Sequence, residues 1–297
     1  MTPHTIDGLL VVDKPAGMTS HDVVARIRKL TGIRRIGHTG TLDPMATGVL
    51  LLCIGKATRL VPFIEEAGGC DAKEYEALVR FGFETTTDDV EGEPRTPITD
   101  TANLNSGIVE AALSKFTGDF LQTPPAFSAK KVDGERAYAR ARRGEEVDLK
   151  PVRVHVTTAE LLGFEDATAR IRYVCSRGTY VRGLARDLGR EAHTGAHLTA
   201  LRRTRTGSAT LQDATTLDAL TASSVVQAVR PMREALPNWP LITVDERETV
   251  ELRQGRAIAD ATDFMGPGVQ VRICGVAGPL VALARSGDGR LRPFCVF

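Results

Sequence analysis

The stretch RIGHTGTLDPMATGVLLLCIGKATRL, Arg35 to Leu60, decides how the rest of the chain is read. It sets one carboxylate, Asp43, in a loop rich in glycine and threonine, just ahead of the apolar run Leu50 to Ile54. A short unbroken apolar run of this kind reads as a buried strand. Pro44 pushes Asp43 out of the helical region and stiffens it. Gly37, Gly40 and Gly48 let the backbone turn tightly or approach a ligand closely. A carboxylate held on such a platform can act as a nucleophile or as a base. Asp-Pro by itself is equally the content of an ordinary turn. A phosphate-binding loop fails on spacing, because Gly55-Lys56 is followed by Ala57 and position 50, where the first glycine should stand, is Leu.

Outward from this stretch, Gly8 to Val12 reads as a strand and Asp13 to Gly17 as a turn. Ser20 is placed to cap a helix running to Leu30, with Gly32 just past its end. Residues 37–48 read as a loop, and Lys56 to Glu66 as helical. Tyr75 to Phe83 alternates as a strand, and Ser106 to Phe116 is helical. Residues 122–150 mix charges densely, with a helix only near Glu135 to Arg143, and read as an arm inserted in a core. Strands resume at Val152 to Val156 and Ala169 to Cys175, and Thr179 to Arg190 is a helix with Arg182, Arg186 and Arg190 along one side. The segment RPMREALPNWP, with three prolines and the only Trp, marks a domain junction, and the last 58 residues suit a small β-rich module.

The 297 residues are 42% hydrophobic and 25% charged, ordinary for a globular protein. No apolar run is long enough to span a bilayer, and MTPHTIDGLL lacks the pattern of a signal peptide. A cytoplasmic monomer is the default expectation. The five cysteines show no C-x-x-C spacing, which speaks against a disulfide framework or structural zinc. Net charge is +1, but its distribution is uneven. Arg170 to Arg205 holds nine arginines against two acids, and Glu84 to Asp119 holds eight acids against two bases. Such a molecule can hold a polyanion on one face, or simply solvate two charged faces.

The central segment GHTGTLDPMATGVLLLCIGKATR closely resembles motif II of the TruB family of tRNA pseudouridine synthases, with Arg59 where Lys is usual. DKPAGMTSHDVV resembles the family's first motif, KEYEALVRFG the segment with the active-site tyrosine, CSRGTYVRGLARDLG the arginine motif, and GAHLTALRRTRTG the next. Residues 8–210 match these motifs in order. The resemblance implies an α+β fold: a mixed or antiparallel catalytic sheet over 1–238, with 122–150 as an RNA-binding arm, and a PUA-like RNA-binding module over 239–297. It implies isomerisation of uridine 55 in the tRNA T-loop to pseudouridine, with no metal or cofactor.

By the same resemblance Asp43 is the catalytic carboxylate, and Arg182 the cation that keeps it charged despite burial. Tyr75 stacks on the flipped uracil, and Tyr180 and Leu201 complete the pocket wall. His38 enters the RNA loop, while Lys14 and Pro15 support the active-site loop near the substrate. Arg202, Arg203, Lys130 and Lys131 are expected on the phosphates of the T-arm. Two other classes stay open: an RNA-binding scaffold in which Asp43 is idle, and a nucleoside hydrolase, which would normally want a second carboxylate.

Overall fold

The computed structural model describes residues 6–128, 130–132, 135–143, 145, 149–260, 266–276 and 278–297. In chain order come β1 (Gly8–Lys14), α1 (Ser20–Thr31), β2 (Ile36–Thr39), β3 (Thr47–Ile54), α2 (Val61–Ala67), β4 (Lys73–Phe81), α3 (Ser106–Leu113) and β5 (Gly118–Gln122). A short hairpin, β6 (Lys131–Val132) and β7 (Glu135–Arg136), leads into α4 (Ala137–Arg142). Then follow β8 (Val152–Glu165), β9 (Thr168–Cys175), α5 (Val181–Glu191) and β10 (Ala196–Thr206). The next elements are β11 (Ala209–Thr210), β12 (Thr215–Thr216), α6 (Ala222–Ala228) and β13 (Arg230–Pro231). The last are β14 (Leu241–Val244), α7 (Glu246–Arg253), β15 (Ile258–Ala259), β16 (Gln270–Gly275), β17 (Leu280–Gly287) and β18 (Arg290–Val296).

The apolar run of the decisive stretch is β3, at the centre of an eleven-stranded sheet ordered β12-β1-β3-β10-β4-β9-β8-β5, with β2, β11 and β13 alongside. β3 pairs antiparallel with β1 along its length and parallel with β10 at its start, where Thr47 and Gly48 face Arg202 and Arg203. That parallel contact makes the sheet mixed, and the architecture is α+β as expected. Its apolar run is unbroken for a physical reason. Side chains alternate faces along a strand, and here both faces are covered. Leu50, Leu52 and Ile54 join Leu10, Val12, Ile27 and Leu184 in one core. Val49, Leu51 and Cys53 join Leu9, Met232 and Leu283 in another, shared with the C-terminal strands.

Gly48 shows how close the β3–β10 approach is. It adopts φ +101°, and a Cβ there would lie 2.2 Å from the Arg203 carbonyl oxygen. No other residue type fits this backbone without strain.

The C-terminal strands form a five-stranded sheet, β14-β16-β17-β18-β15, with its own core that includes Leu252, Ile273 and Val281. It also carries a helix, α7, with Asp245 as its cap, which the pattern of β-like segments did not suggest. Arg272 of β16 donates to the carbonyls of Arg233, Ala235, Pro237 and Trp239, binding the proline-rich junction to this sheet. Phe63, Trp239 and Phe294 meet ring to ring with centroids 5.4–6.3 Å apart, beside that junction.

Several local expectations are corrected. The cap of α1 is Thr19, not Ser20: Thr19 accepts from the Asp22 amide at 3.1 Å, and the Asp22 carboxylate accepts from the Thr19 amide at 2.8 Å. Residues 37–48 are not wholly loop, since Ile36–Thr39 pairs with β3. Lys56 to Glu66 is a 3₁₀ turn followed by the short α2, because Pro62 can open a helix but not sit inside one. In the arm, Glu135 and Arg136 are strand before the helix starts. No helix is long and apolar enough to cross a membrane among the described residues.

Candidate active site

Asp43 lies in the loop between β2 and β3, and the loop is tied down from four directions. Ser20, freed from capping, accepts from the Leu42 amide at 2.8 Å and donates to the Leu42 carbonyl at 3.1 Å. Lys14 donates to the carbonyls of Pro44 and Ala46 at 3.2 and 2.7 Å. Arg203 donates to the Gly40 carbonyl at 3.1 Å, and Glu65 accepts from the Gly40 amide at 3.0 Å. The buried polar groups here are thus nearly all satisfied by the loop backbone, which fixes where the carboxylate points.

Arg182, in the first turn of α5, meets Asp43 as a fork: Nε is 2.9 Å from Oδ2, and Nη2 donates to Oδ1 at 3.1 Å. The same guanidinium donates to the carbonyls of Thr87 and Phe127 and stands 3.4 Å from the Asp89 carboxylate. Bidentate geometry of this kind fixes direction as well as charge. Desolvation pushes the Asp43 carboxyl up from its ordinary value of 3.8, Arg182 pulls it down, and the Asp89 charge pushes it up again. The net direction is up. Arg182 therefore opposes the burial penalty without cancelling it.

The start of α5 is set by Gln122, fully buried at the end of β5. Its amide accepts from the Tyr180 N–H at 2.9 Å and donates to the Tyr180 carbonyl at 3.0 Å. A side chain at Gly183 would press on Gln122 at 3.1 Å. Neither Gln122 nor Asp89 was legible as a site residue. Both are common polar residues in unremarkable surroundings, and only the fold brings them to Arg182 and Tyr180.

Asp43 sits where two spaces meet. The smaller is a cavity of about 220 Å³ whose walls include Tyr75, Tyr180, Leu201 and Lys73. The larger is a groove of about 940 Å³ whose walls include His21, His38, Glu91 and Tyr138. Arg182, Phe127 and Ser128 border both. Tyr75 is 5% exposed, and burial pushes its phenol up to about 12 against the pull of Arg203. It keeps its proton at neutral pH, so it offers a ring face and a hydroxyl donor, and a standing phenolate base is disfavoured. Burial, then the Arg203 charge, lowers the His38 imidazole from 6.5, so the ring facing the groove is neutral.

The remaining expected contacts have these surroundings. Arg203 is fully buried and spends Nε on the Val49 carbonyl and Nη2 on Gly40, so it braces the loop and is closed to phosphate. Lys14 is also fully buried and supports the loop from behind, without reaching the cavity. Arg202 is half-exposed but already paired with Asp13 at 2.8 Å. Lys130 lies on the arm and donates to the Lys150 carbonyl, while the Lys131 side chain falls outside the described residues.

The arginine-rich stretch is not a free basic face either. Arg182, Arg186 and Arg190 on α5 meet Asp89, Asp88 and Glu84 in register, with Arg186 2.8 Å from Asp88 and Arg190 2.6 Å from Glu84. Along α5 the acidic and basic stretches pair with each other. Hydrogen bonding from Arg190 lowers the Glu84 carboxyl, whereas burial raises Asp88 despite Arg186. In space, too, Asp43 has carboxylate neighbours that its own segment lacks. Asp89 stands across Arg182, and Glu91 lines the groove with a carboxyl raised by burial and by both aspartates. The objection to a hydrolase from a missing second acid therefore does not hold at this level. Among the described residues, no group of three or more His, Cys, Asp or Glu side chains could hold a metal ion.

Comparison with known proteins gives a consistent picture. Residues 28–181 match the family model for the N-terminal domain of the TruB family pseudouridylate synthases, and residues 182–238 match that for the tRNA pseudouridylate synthase B C-terminal domain. Among curated relatives, the tRNA pseudouridine synthase B of Thermobifida fusca is 44% identical over 98% of both chains. That of Nocardia farcinica is 46% identical over 98% of this chain and 93% of its own. Among solved structures, a chain of a Cbf5-Nop10-Gar1 complex aligns with TM-score 0.68 at 26% identity, covering 95% of this chain and 79% of that one. A chain of an H/ACA RNP bound to a substrate RNA containing 2′-deoxyuridine aligns with TM-score 0.72, covering 99% and 86%. At 24% identity the latter shows the shared fold alone.

Proposed function

The chain belongs to the TruB family of pseudouridylate synthases, and from that premise we propose that the cavity beside Asp43 receives a uridine turned out of the tRNA T-loop. The enzyme isomerises uridine to pseudouridine in tRNA. The observation that carries the site assignment is the Arg182 fork on Asp43 at the mouth of a cavity walled by Tyr75, Tyr180 and Leu201.

Each residue then has a physical task. A base leaving its stack needs a new surface, and Tyr75 offers a ring worth roughly 1–3 kcal/mol. Leu201 and Tyr180 close the walls, so the detached uracil stays while it rotates and C5 takes the place of N1 on C1′. Asp43 acts ionised, as nucleophile or base toward the nucleotide, and Arg182 keeps the ionised form within reach despite burial. His38, neutral and facing the groove, fits the space of the displaced base. Lys130 on the arm 122–150 and Arg202, once released from Asp13, are the remaining candidates for phosphate contacts.

The finer reading follows from the same premise. The uridine is that at position 55, and the partner is the T-arm stem and loop. Residues 1–238 form the catalytic unit and 239–297 a PUA-like RNA-binding unit, in a cytoplasmic monomer. A T-arm transcript carrying tritium at uracil C5 tests the assignment. Wild type releases tritium to water, and Asp43→Asn binds the transcript but releases none. Free uracil in place of tritiated water identifies a hydrolase, and neither product identifies a scaffold. Turnover by Asp43→Asn at the wild-type rate overturns the role of Asp43.

A further inference from the structure

Lys73 and Tyr75 are two residues apart on β4, so their side chains leave the strand on the same face. Lys73 lines the Asp43 cavity beside Tyr75 and Leu201. Its ammonium makes no hydrogen bond or ion pair to any described residue. Tyr75 is paired across the sheet with Arg203, and Arg203 Nη1 is buried with no hydrogen-bond partner. Both cations converge on Gly40, where a Cβ would lie 2.6 Å from Lys73 Nζ and 3.4 Å from Arg203 Nη1. The nearby Glu65 carboxylate is committed to the Gly40 amide. The corner beside Tyr75 thus holds two cations with no carboxylate bonded to Lys73, and only Lys73 opens onto the cavity.

Preorganised donors of this kind are most useful where negative charge develops during a reaction. Isomerisation develops such charge. When the C1′–N1 bond breaks heterolytically, the electron pair leaves with the uracil, and its charge spreads over N1, O2 and O4. We propose that Lys73 is a catalytic residue that donates a hydrogen bond to a carbonyl oxygen of the detached uracil anion, with Arg203 adding its positive field from behind. This rests on the cavity being the uridine site. Lys73 stays protonated throughout. The anion is discharged when C5 bonds to C1′, the C5 proton is lost, and N1 takes up a proton. The same hydrogen bond retains the base while it turns.

The charged and titratable groups facing Lys73 are Glu65 on α2, His38 on β2, Cys175 on β9, Arg177 in the turn after it and Arg203 on β10. Burial, then Arg203, bring the Lys73 amine down to about 8. The cation is present below that value and is lost as pH rises through it.

The test uses the full chain and the tritiated T-arm transcript, with kcat and KM measured across pH for wild type, Lys73→Met and Lys73→Arg. Thermal unfolding of each variant is followed in parallel. Wild type shows a basic limb in kcat/KM near pH 8, the value of the free enzyme. Lys73→Met loses about 10²–10³ in kcat with KM little changed. Lys73→Arg recovers much of kcat and loses the limb, because a guanidinium does not titrate there. Should Lys73→Met fail to fold, the limb of Lys73→Arg decides. Unchanged kcat in Lys73→Met, a loss confined to KM, or a limb near pH 8 retained in Lys73→Arg overturns the proposal. A wild-type protein that releases no tritium overturns the isomerase reading itself, separately from the lysine.

Discussion

Arg182→Met preserves much of the side-chain length and deletes the charge. In the native fold that guanidinium serves Asp43, Asp89 and the carbonyls of Thr87 and Phe127, and its side chain is 6% exposed. Removing one partner of a buried ion pair costs roughly 3–5 kcal/mol, because the other charge is left uncompensated. That is a large share of a typical total of about 5–15 kcal/mol, so the variant folds with a narrow margin. The corresponding fall in melting temperature is roughly 6–20 °C for a chain of this size. The chemistry suffers separately. Without the guanidinium, desolvation and Asp89 act on Asp43 unopposed except by Lys14, and its carboxyl rises further above 3.8. Activity that needs the ionised form is lost as pH falls through the carboxyl pKa, so the acid limb of kcat/KM moves to higher pH. Turnover at neutral pH drops by about 10²-fold or more. Tritium release across pH, at a temperature where circular dichroism shows both proteins folded, measures the two effects apart. Arg182→Lys falls between, keeping charge but not the fork. A methionine variant with native melting, native turnover and an unmoved acid limb would refute the pairing argument.

Asp89→Asn acts in the opposite sense on the same group. Its charge raises Asp43, so the acid limb should move to lower pH, and a limb that stays or rises shows that this charge does not govern Asp43. Gly48→Ala places a methyl 2.2 Å from the Arg203 carbonyl at φ +101°. It should cost roughly 2–5 kcal/mol from strain and overpacking together, measured by denaturant unfolding, and a near-neutral result would mean that β3 and β10 can part without penalty.

Much of the catalytic sheet was legible because strands such as Val49 to Ile54 are apolar on both parities while others, such as Tyr75 to Phe81, alternate, and because punctuation such as Pro15-Ala16-Gly17 marks their ends. The site was legible as far as a motif specifies residue type: Asp43, Tyr75, Arg182 and Leu201 do share one cavity. What failed was whatever depends on partners distant in the chain. Arg203 looks like any surface arginine beside Arg202. Its role follows only from the pairing of β10 with β3, which turns it inward onto the Gly40 loop. The charge asymmetry misled for the same reason. Two stretches of opposite sign roughly a hundred residues apart suggested two faces, and along α5 three arginines and three acids form one salt-bridged seam. Thr19 against Ser20 is a subtler case. Both can cap a helix, and the choice went to the residue that left a serine hydroxyl for Leu42.

Asp43 and the arginine that completes it are 139 residues apart in the chain. At roughly 5–20 residues per second of synthesis, that gap lasts on the order of ten seconds on the ribosome. Lys14 and Ser20 precede Asp43, so the nascent chain can shape the loop at once, but the counter-ion is not yet made. Asp89 and the Glu84–Asp88 acids likewise wait for α5. A truncated or still-growing chain therefore lacks both the counter-ion and most of the cavity wall, since Tyr75, Phe127, Tyr180 and Leu201 also follow Asp43. Turnover begins only once the two halves of the molecule have found each other, and activity itself reports that synthesis and folding have finished.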